Sequence, residues 1–189
     1  MRLGVLVSGR GSNLEAVLAA GIEVAVVISN RPGVRALGVA TAHAVPAHVL
    51  GRAAHGDDPS ARDRAIGDTL TAAGVDLALL AGYDRLLRPS YFEAFRGRTI
   101  NIHPSLLPAH GGTGMVGTAV HRSVLAAGDD ETGVTIHEVT ADLDAGPILA
   151  QSRVRVLPGD DAETLAARVL VEEHRLLVAT LGEIVAAPA

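Results

Sequence analysis

Apolar runs of strand length alternate along the chain with segments whose apolar residues recur at helical spacing. Residues 3–7, 22–28 and 45–50 read as strands, with helices at 14–20 and 34–43 between them, the βαβαβ order of a parallel sheet covered by helices. A charged stretch over 52–63 leads into a helix ending near Gly74. The unbroken apolar run at 75–81 then reads as a strand buried on both faces. Pro89 suits the first turn of a short helix through Phe95, and a further strand is predicted at 98–102. A glycine-rich loop (110–117) precedes a helix at 119–127. Alternating strands at 133–139 and 148–156 follow, joined through Asp142-Leu143-Asp144-Ala145-Gly146-Pro147, and a last helix spans 162–185. The expected architecture is α/β: a single-domain, doubly wound, mostly parallel sheet of Rossmann-like kind.

Composition narrows the functions this sheet could serve. At 189 residues and 48% hydrophobic content the chain can bury about 70% of its unfolded surface around one core, so one domain is expected. Only 2% of residues are aromatic, which disfavours base stacking, and the net charge of -5 provides no general field for a polyanion. Nucleic acid is therefore not an expected partner, and any phosphate must be bound locally. The absence of cysteine excludes disulfides, thiolate nucleophiles and cysteine metal sites, and is compatible with a reducing cytoplasm, the expected location. The apolar N-terminus breaks at Ser8-Gly9-Arg10-Gly11, too early for a signal-peptide core or a span, so no membrane partner is expected.

Ser8-Gly9-Arg10-Gly11-Ser12-Asn13 joins the first strand to the first helix, where backbone N–H groups and the helix dipole together favour an anion. The same residues would serve as a plain turn with Ser12 as N-cap. Leu14 stands where a dinucleotide fingerprint has its third glycine, and the second strand ends in Ser29-Asn30 without an acidic ribose ligand, so nicotinamide is disfavoured. No Gly-Lys-Ser/Thr follows, which disfavours a nucleoside triphosphatase. A single terminal phosphate fits better.

Asn101 and His103, two apart at a strand exit, share one face at the carboxyl end of the sheet, where open α/β folds place ligands. Asp144, in a turn constrained by Gly146-Pro147, could approach His103. Taken singly, these are a turn cap, a buried imidazole and a turn aspartate. Taken together, an amide, an imidazole and a carboxylate suit acyl transfer to an amine. That chemistry must deprotonate the attacking amine, stabilise an oxyanion and protonate the leaving nitrogen. Asp144 beside His103 would favour the imidazolium.

Four segments carry a resemblance: Val5 through Leu14, Leu80-Ala81-Gly82-Tyr83, Asn101-Ile102-His103-Pro104-Ser105-Leu106-Leu107-Pro108, and Asp144-Ala145-Gly146-Pro147. Together they are similar to the phosphoribosylglycinamide formyltransferase family, over nearly the whole chain. The resemblance implies formyl transfer from 10-formyltetrahydrofolate, as co-substrate and without a metal, to the amine of glycinamide ribonucleotide in purine biosynthesis. It further implies that Asn101, His103 and Asp144 are catalytic, and that Gly11, Ser12, Asn13 and Glu173 bind the ribonucleotide. Arg85, Leu86, Leu87, Asn101, Thr140, Ala141 and Asp142 would line the folate pocket. Residues 1–100 would then form a phosphate-binding part and 101–189 the folate and catalytic loops, with a homodimer left open.

Three places depart from the family's commoner pattern. Asp84 replaces a usual Met, residues 109–117 resemble a longer Gly-Gly-x-Gly-Met branch, and Ala119 stands where a His is often found, leaving open whether His110 or His121 compensates. The Asn-x-His-Pro motif is shared with methionyl-tRNA formyltransferase and resembles that of formyltetrahydrofolate deformylase. Those relatives carry extra domains for which this length leaves no room. Other folate-dependent formyltransferases, a zinc hydrolase built on His103, His110, His121 and Asp144, and a non-catalytic phosphometabolite-binding module are the alternatives.

Overall fold

The computed structural model describes residues 1–186. Its strands are β1 (Leu3–Val7), β2 (Val24–Ser29), β3 (Ala47–Val49), β4 (Leu77–Leu80), β5 (Arg98–His103), β6 (Glu131–Glu138) and β7 (Ile148–Arg155). They form one sheet in the order β3-β2-β1-β4-β5-β6-β7. The pairs β1/β2, β1/β4 and β2/β3 are parallel, and β6/β7 is antiparallel. This is the mostly parallel α/β sheet that the alternation of elements predicts. The chain divides into two compact units, residues 1–100 and the remainder from Asn101.

In the first unit all five residues of β1 are buried, as required of a strand paired on both edges and covered on both faces. Helices α1 (Ser12–Ala19), α2 (Arg35–Ala42), α3 (Arg52–His55), α4 (Pro59–Ala72) and α5 (Pro89–Ala94) complete it. Leu6, Leu14, Ile28, Ile66, Leu70, Leu77, Leu79 and Tyr91 are fully enclosed in its core. The start of α4 is fixed by Asp58, whose carboxylate accepts from the N–H groups of Ser60 and Ala61, with Pro59 in the first turn. Strand β3 is shorter than the 45–50 expected and exposed throughout, because it lies at the sheet edge with one partner. The charged stretch also contains a buried residue. Asp63 is fully enclosed and accepts from Arg62 Nε and Nη2 at 2.8 and 2.6 Å and from the Arg88 N–H at 2.9 Å.

In the second unit α6 (Thr118–Ala127) and α7 (Ala162–Ala186) pack together, and α7 also covers β6 and β7. Strand β6 does not alternate as expected: residues 132–137 are all buried, because it is an interior strand of the sheet. Strand β7, at the edge, keeps a period of two between exposed and half-buried positions. Val120, Val124, Val134, Ile136, Leu165, Val169, Leu177 and Leu181 form this core. No helix among the described residues is long and apolar enough to cross a membrane.

Candidate active site

At the exit of β1, Gly11 rather than Ser12 is the N-cap of α1, and no side chain caps that helix. Gly11 adopts φ 75°, a left-handed conformation that glycine takes without a Cβ penalty, and a Cβ there would stand 2.7 Å from Ala36 Cα. The turn therefore presents main chain rather than side chain. Asn13 is buried with Oδ1 unpartnered, as are Asn30 Oδ1 and Tyr83 Oη. The exits of three strands are tied together nearby. The Asp84 N–H donates to Ser8 Oγ at 3.0 Å, and its carboxylate accepts from Asn30 Nδ2 at 2.8 Å and from Arg31. Strand β1, with β2 on one side and β4 on the other, is where the chain reverses its direction of travel across the sheet, the place where such folds bind ligands. Asp84 is thus a clasp over that point.

In the second unit, Asn101 and His103 project from β5, and His103 is almost completely buried. Asn101 Nδ2 lies 3.1 Å from His137 Nε2, and His137 Nδ1 lies 2.8 Å from the Glu138 carbonyl oxygen. A carbonyl can only accept, so Nδ1 carries the proton and a neutral His137 receives the Asn101 amide at Nε2. That fixes the amide's orientation and leaves its second N–H and its oxygen for a substrate. Asp144 Oδ1 is 3.7 Å from His137 Nε2, and Asp144 Oδ2 accepts from the Gly112 N–H at 2.8 Å. Burial lowers the His137 pKa below its ordinary 6.5, outweighing the Glu138 carbonyl and Asp144, which raise it. At neutral pH the 3.7 Å approach is therefore between a carboxylate and an uncharged ring. His103 stands near enough to lower both His121 and His137. Its own Nε2 donates to the His110 carbonyl oxygen at 2.9 Å.

The loop after β5 is fastened from within. Thr135 Oγ1 donates to the Ser105 carbonyl at 2.7 Å and accepts from the Leu107 N–H at 3.0 Å, and Gln151 Nε2 reaches both Thr135 Oγ1 and the Leu107 carbonyl. Ser105 Oγ donates to the Ala109 carbonyl at 2.6 Å. Mutually satisfied, with Ser105, Leu107 and Thr135 buried, this network holds the main chain that runs from His103 to His110.

The remaining predicted residues are dispersed. Glu173 is buried on α7. Arg85 is half exposed, 3.6 Å from Asp84; Leu86 is exposed; Leu87, expected in a pocket wall, is buried at 3% exposure. Thr140, Ala141 and Asp142 are exposed, in a turn closed by Thr140 Oγ1 to the Asp142 carbonyl at 3.1 Å. Among the described residues no group of three or more His, Asp or Glu side chains is arranged to hold a metal.

Residues 1–181 match the family model described as formyl transferase. The chain belongs to the formyl transferase family. It is 43% identical to the phosphoribosylglycinamide formyltransferase of Mycobacterium tuberculosis, over 96% of this chain and 83% of that one. Against the Escherichia coli protein of the same name the identity is 36%, over 93% and 83%. The crystal structure of glycinamide ribonucleotide transformylase 1 from Symbiobacterium toebii superposes with a TM-score of 0.88 at 43% identity, covering 96% of this chain and 85% of that one. The chain spans only 65% of the chloroplastic Arabidopsis thaliana relative and 13% of the trifunctional Drosophila melanogaster protein.

Sequence reasoning missed His137 in this formyl transferase, although Thr135 and His137 were a signal: two polar residues at period two, alternating with the apolar Val134 and Ile136. Its burial, with that of His121, has a consequence for stability. Both rings have pKa values below 6.5 in the folded state, His121 through burial reinforced by His103. As pH falls through 6.5 the unfolded chain takes up protons that the folded chain refuses, so stability decreases with acidification until the folded pKa values are reached. Thermal melts from about pH 8 to about pH 5 are expected to show a falling midpoint, and His121→Gln a shallower fall. A midpoint independent of pH would contradict the neutral burial of these rings.

Proposed function

We propose that the protein transfers a formyl group from 10-formyltetrahydrofolate to the amine of glycinamide ribonucleotide, a step of purine biosynthesis. The observation that carries this reading is the meeting of Asn101, His137 and Asp144, with His103 beside them, in a chain of this family. The amine attacks the formyl carbon directly. A C–N bond forms, the carbonyl oxygen becomes an oxyanion, and collapse of the tetrahedral intermediate breaks the bond to the folate nitrogen, which takes up a proton. The Asn101 N–H faces the oxyanion, as does His103, whose Nε2–H is held by the His110 carbonyl and which donates through Nδ1 once that nitrogen carries a proton, and Asp144 draws the proton from the attacking nitrogen. His137, uncharged, holds the Asn101 amide in the donating orientation.

Gly11, Ser12 and Asn13 take the phosphate on main-chain N–H groups and the Asn13 side chain, and Glu173 takes the ribose hydroxyls. Folate contacts fall to Arg85, Leu86, Thr140, Ala141 and Asp142. The buried Leu87 backs that wall rather than lining it. In this assignment residues 1–100 bind phosphate and the later residues carry the chemistry.

Incubating the purified protein with both substrates and following the formylated ribonucleotide by mass spectrometry tests the reading. Absence of product rejects it. Release of formate without an acceptor would indicate a deformylase. Asn13→Ala is expected to raise the ribonucleotide KM about tenfold with kcat within about twofold, since it removes a ground-state contact. A mutant whose KM is unchanged would remove Asn13 from the phosphate site.

A further inference from the structure

His110 lies outside the reacting set, yet both its ring nitrogens are held. Nε2 donates to Asp129 Oδ2 at 2.6 Å and Nδ1 meets Ser123 Oγ at 2.8 Å. Ser123 belongs to α6, and Asp129 directly follows that helix's C-cap, Gly128. The anchor therefore ties the loop to the end of a helix. His110 also has φ 54°, a conformation that residues with a Cβ keep only where their surroundings impose it. Gly111, Gly112 and Gly114 follow, so the loop has little stiffness of its own.

The main chain of this segment reaches two proposed reacting side chains. The His110 carbonyl accepts from His103 Nε2 at 2.9 Å, and two residues later the Gly112 N–H donates to Asp144 Oδ2 at 2.8 Å. We propose that Ser123, His110 and Asp129 form a positioning relay. By clamping the His110 ring they fix the 110–112 main chain, which holds His103 with Nε2 protonated and Nδ1 left for substrate, and holds Asp144 in place. His110 touches no reacting atom; it acts through its backbone. The importance of these contacts for turnover rests on the formyl-transfer reading, whereas the hydrogen-bonded state of His103 does not.

The test uses His110→Gly, which takes φ 54° freely and removes only the clamp. Turnover of the wild type is measured first, and its absence counts against the formyl-transfer reading alone. Nitrogen NMR of ring-labelled histidine at mildly alkaline pH then reports the His103 tautomer. Wild type should show Nε2–H only, and His110→Gly a mixture of both tautomers. Its kcat should fall about tenfold to a hundredfold, with both KM values within about twofold. His110→Gln, whose amide can meet both Ser123 and Asp129, should recover part of the loss, and Asp129→Asn should shift the same signals in the same direction. A His103 spectrum unchanged in His110→Gly overturns the relay.

Discussion

Asp144→Asn is expected to lower kcat by about 10²- to 10⁴-fold, the range found when a positioned proton acceptor is lost. The substitution is a clean one. Asp144 has φ 53°, a conformation Asn tolerates better than most residues, and an amide oxygen can still accept the Gly112 N–H that now bonds Oδ2. Charge is removed while the loop is kept. His103→Ala should cost about 10²- to 10³-fold, through loss of an oxyanion donor. It also leaves the His110 carbonyl without its donor, so a stability loss of about 1–3 kcal/mol should accompany it. Single-turnover kinetics beside thermal melts separate the two effects. Wild-type turnover in Asp144→Asn would remove the carboxylate from the mechanism.

The layout of the sheet was legible because local pattern and final position agree: a strand such as β1, apolar at every position, has only one place in a parallel sheet. Asn101 and His103 were legible as a pair because a strand puts alternate residues on one face. What could not be read were partners set by tertiary placement. Asp144 reads as a neighbour for His103, but the ring within 3.7 Å of its carboxylate is His137, from the strand that leads into Asp144's own loop. Asp63 reads as the end of a charged stretch, and only the fold encloses it with Arg62 and the Arg88 N–H. The N-cap moved from Ser12 to Gly11 for a similar reason: Ala36 packs against Gly11, where a side chain would collide.

Gly146→Ala is expected to damage both fold and site, by one route. A Cβ on Gly146 would stand 2.0 Å from the Glu138 carbonyl oxygen and 2.8 Å from its carbon, both main-chain atoms that cannot swing aside as a flexible side chain would. Glu138 must shift. Its N–H is bonded to the Pro147 carbonyl at 2.9 Å, and its carbonyl accepts the His137 Nδ1–H at 2.8 Å. Displacing that carbonyl frees His137 to change tautomer, and a His137 protonated at Nε2 no longer receives the Asn101 amide. Overpacking against backbone of this kind costs about 1–3 kcal/mol or somewhat more, an expected fall in Tm of roughly 2–10 °C for a chain of this size. In addition kcat per folded molecule should drop about tenfold or more, because the oxyanion donor is misoriented. Gly67→Ala is the control. Its Cβ would stand 2.6 Å from Ala94 Cβ and 3.0 Å from the Tyr91 carbonyl oxygen, between α4 and α5 and with no contact to Glu138, so it should lower Tm while sparing kcat per folded molecule. Equal losses of kcat per folded molecule in the two variants would mean that Gly146 acts through packing alone, and that the path from Glu138 through His137 to Asn101 carries nothing.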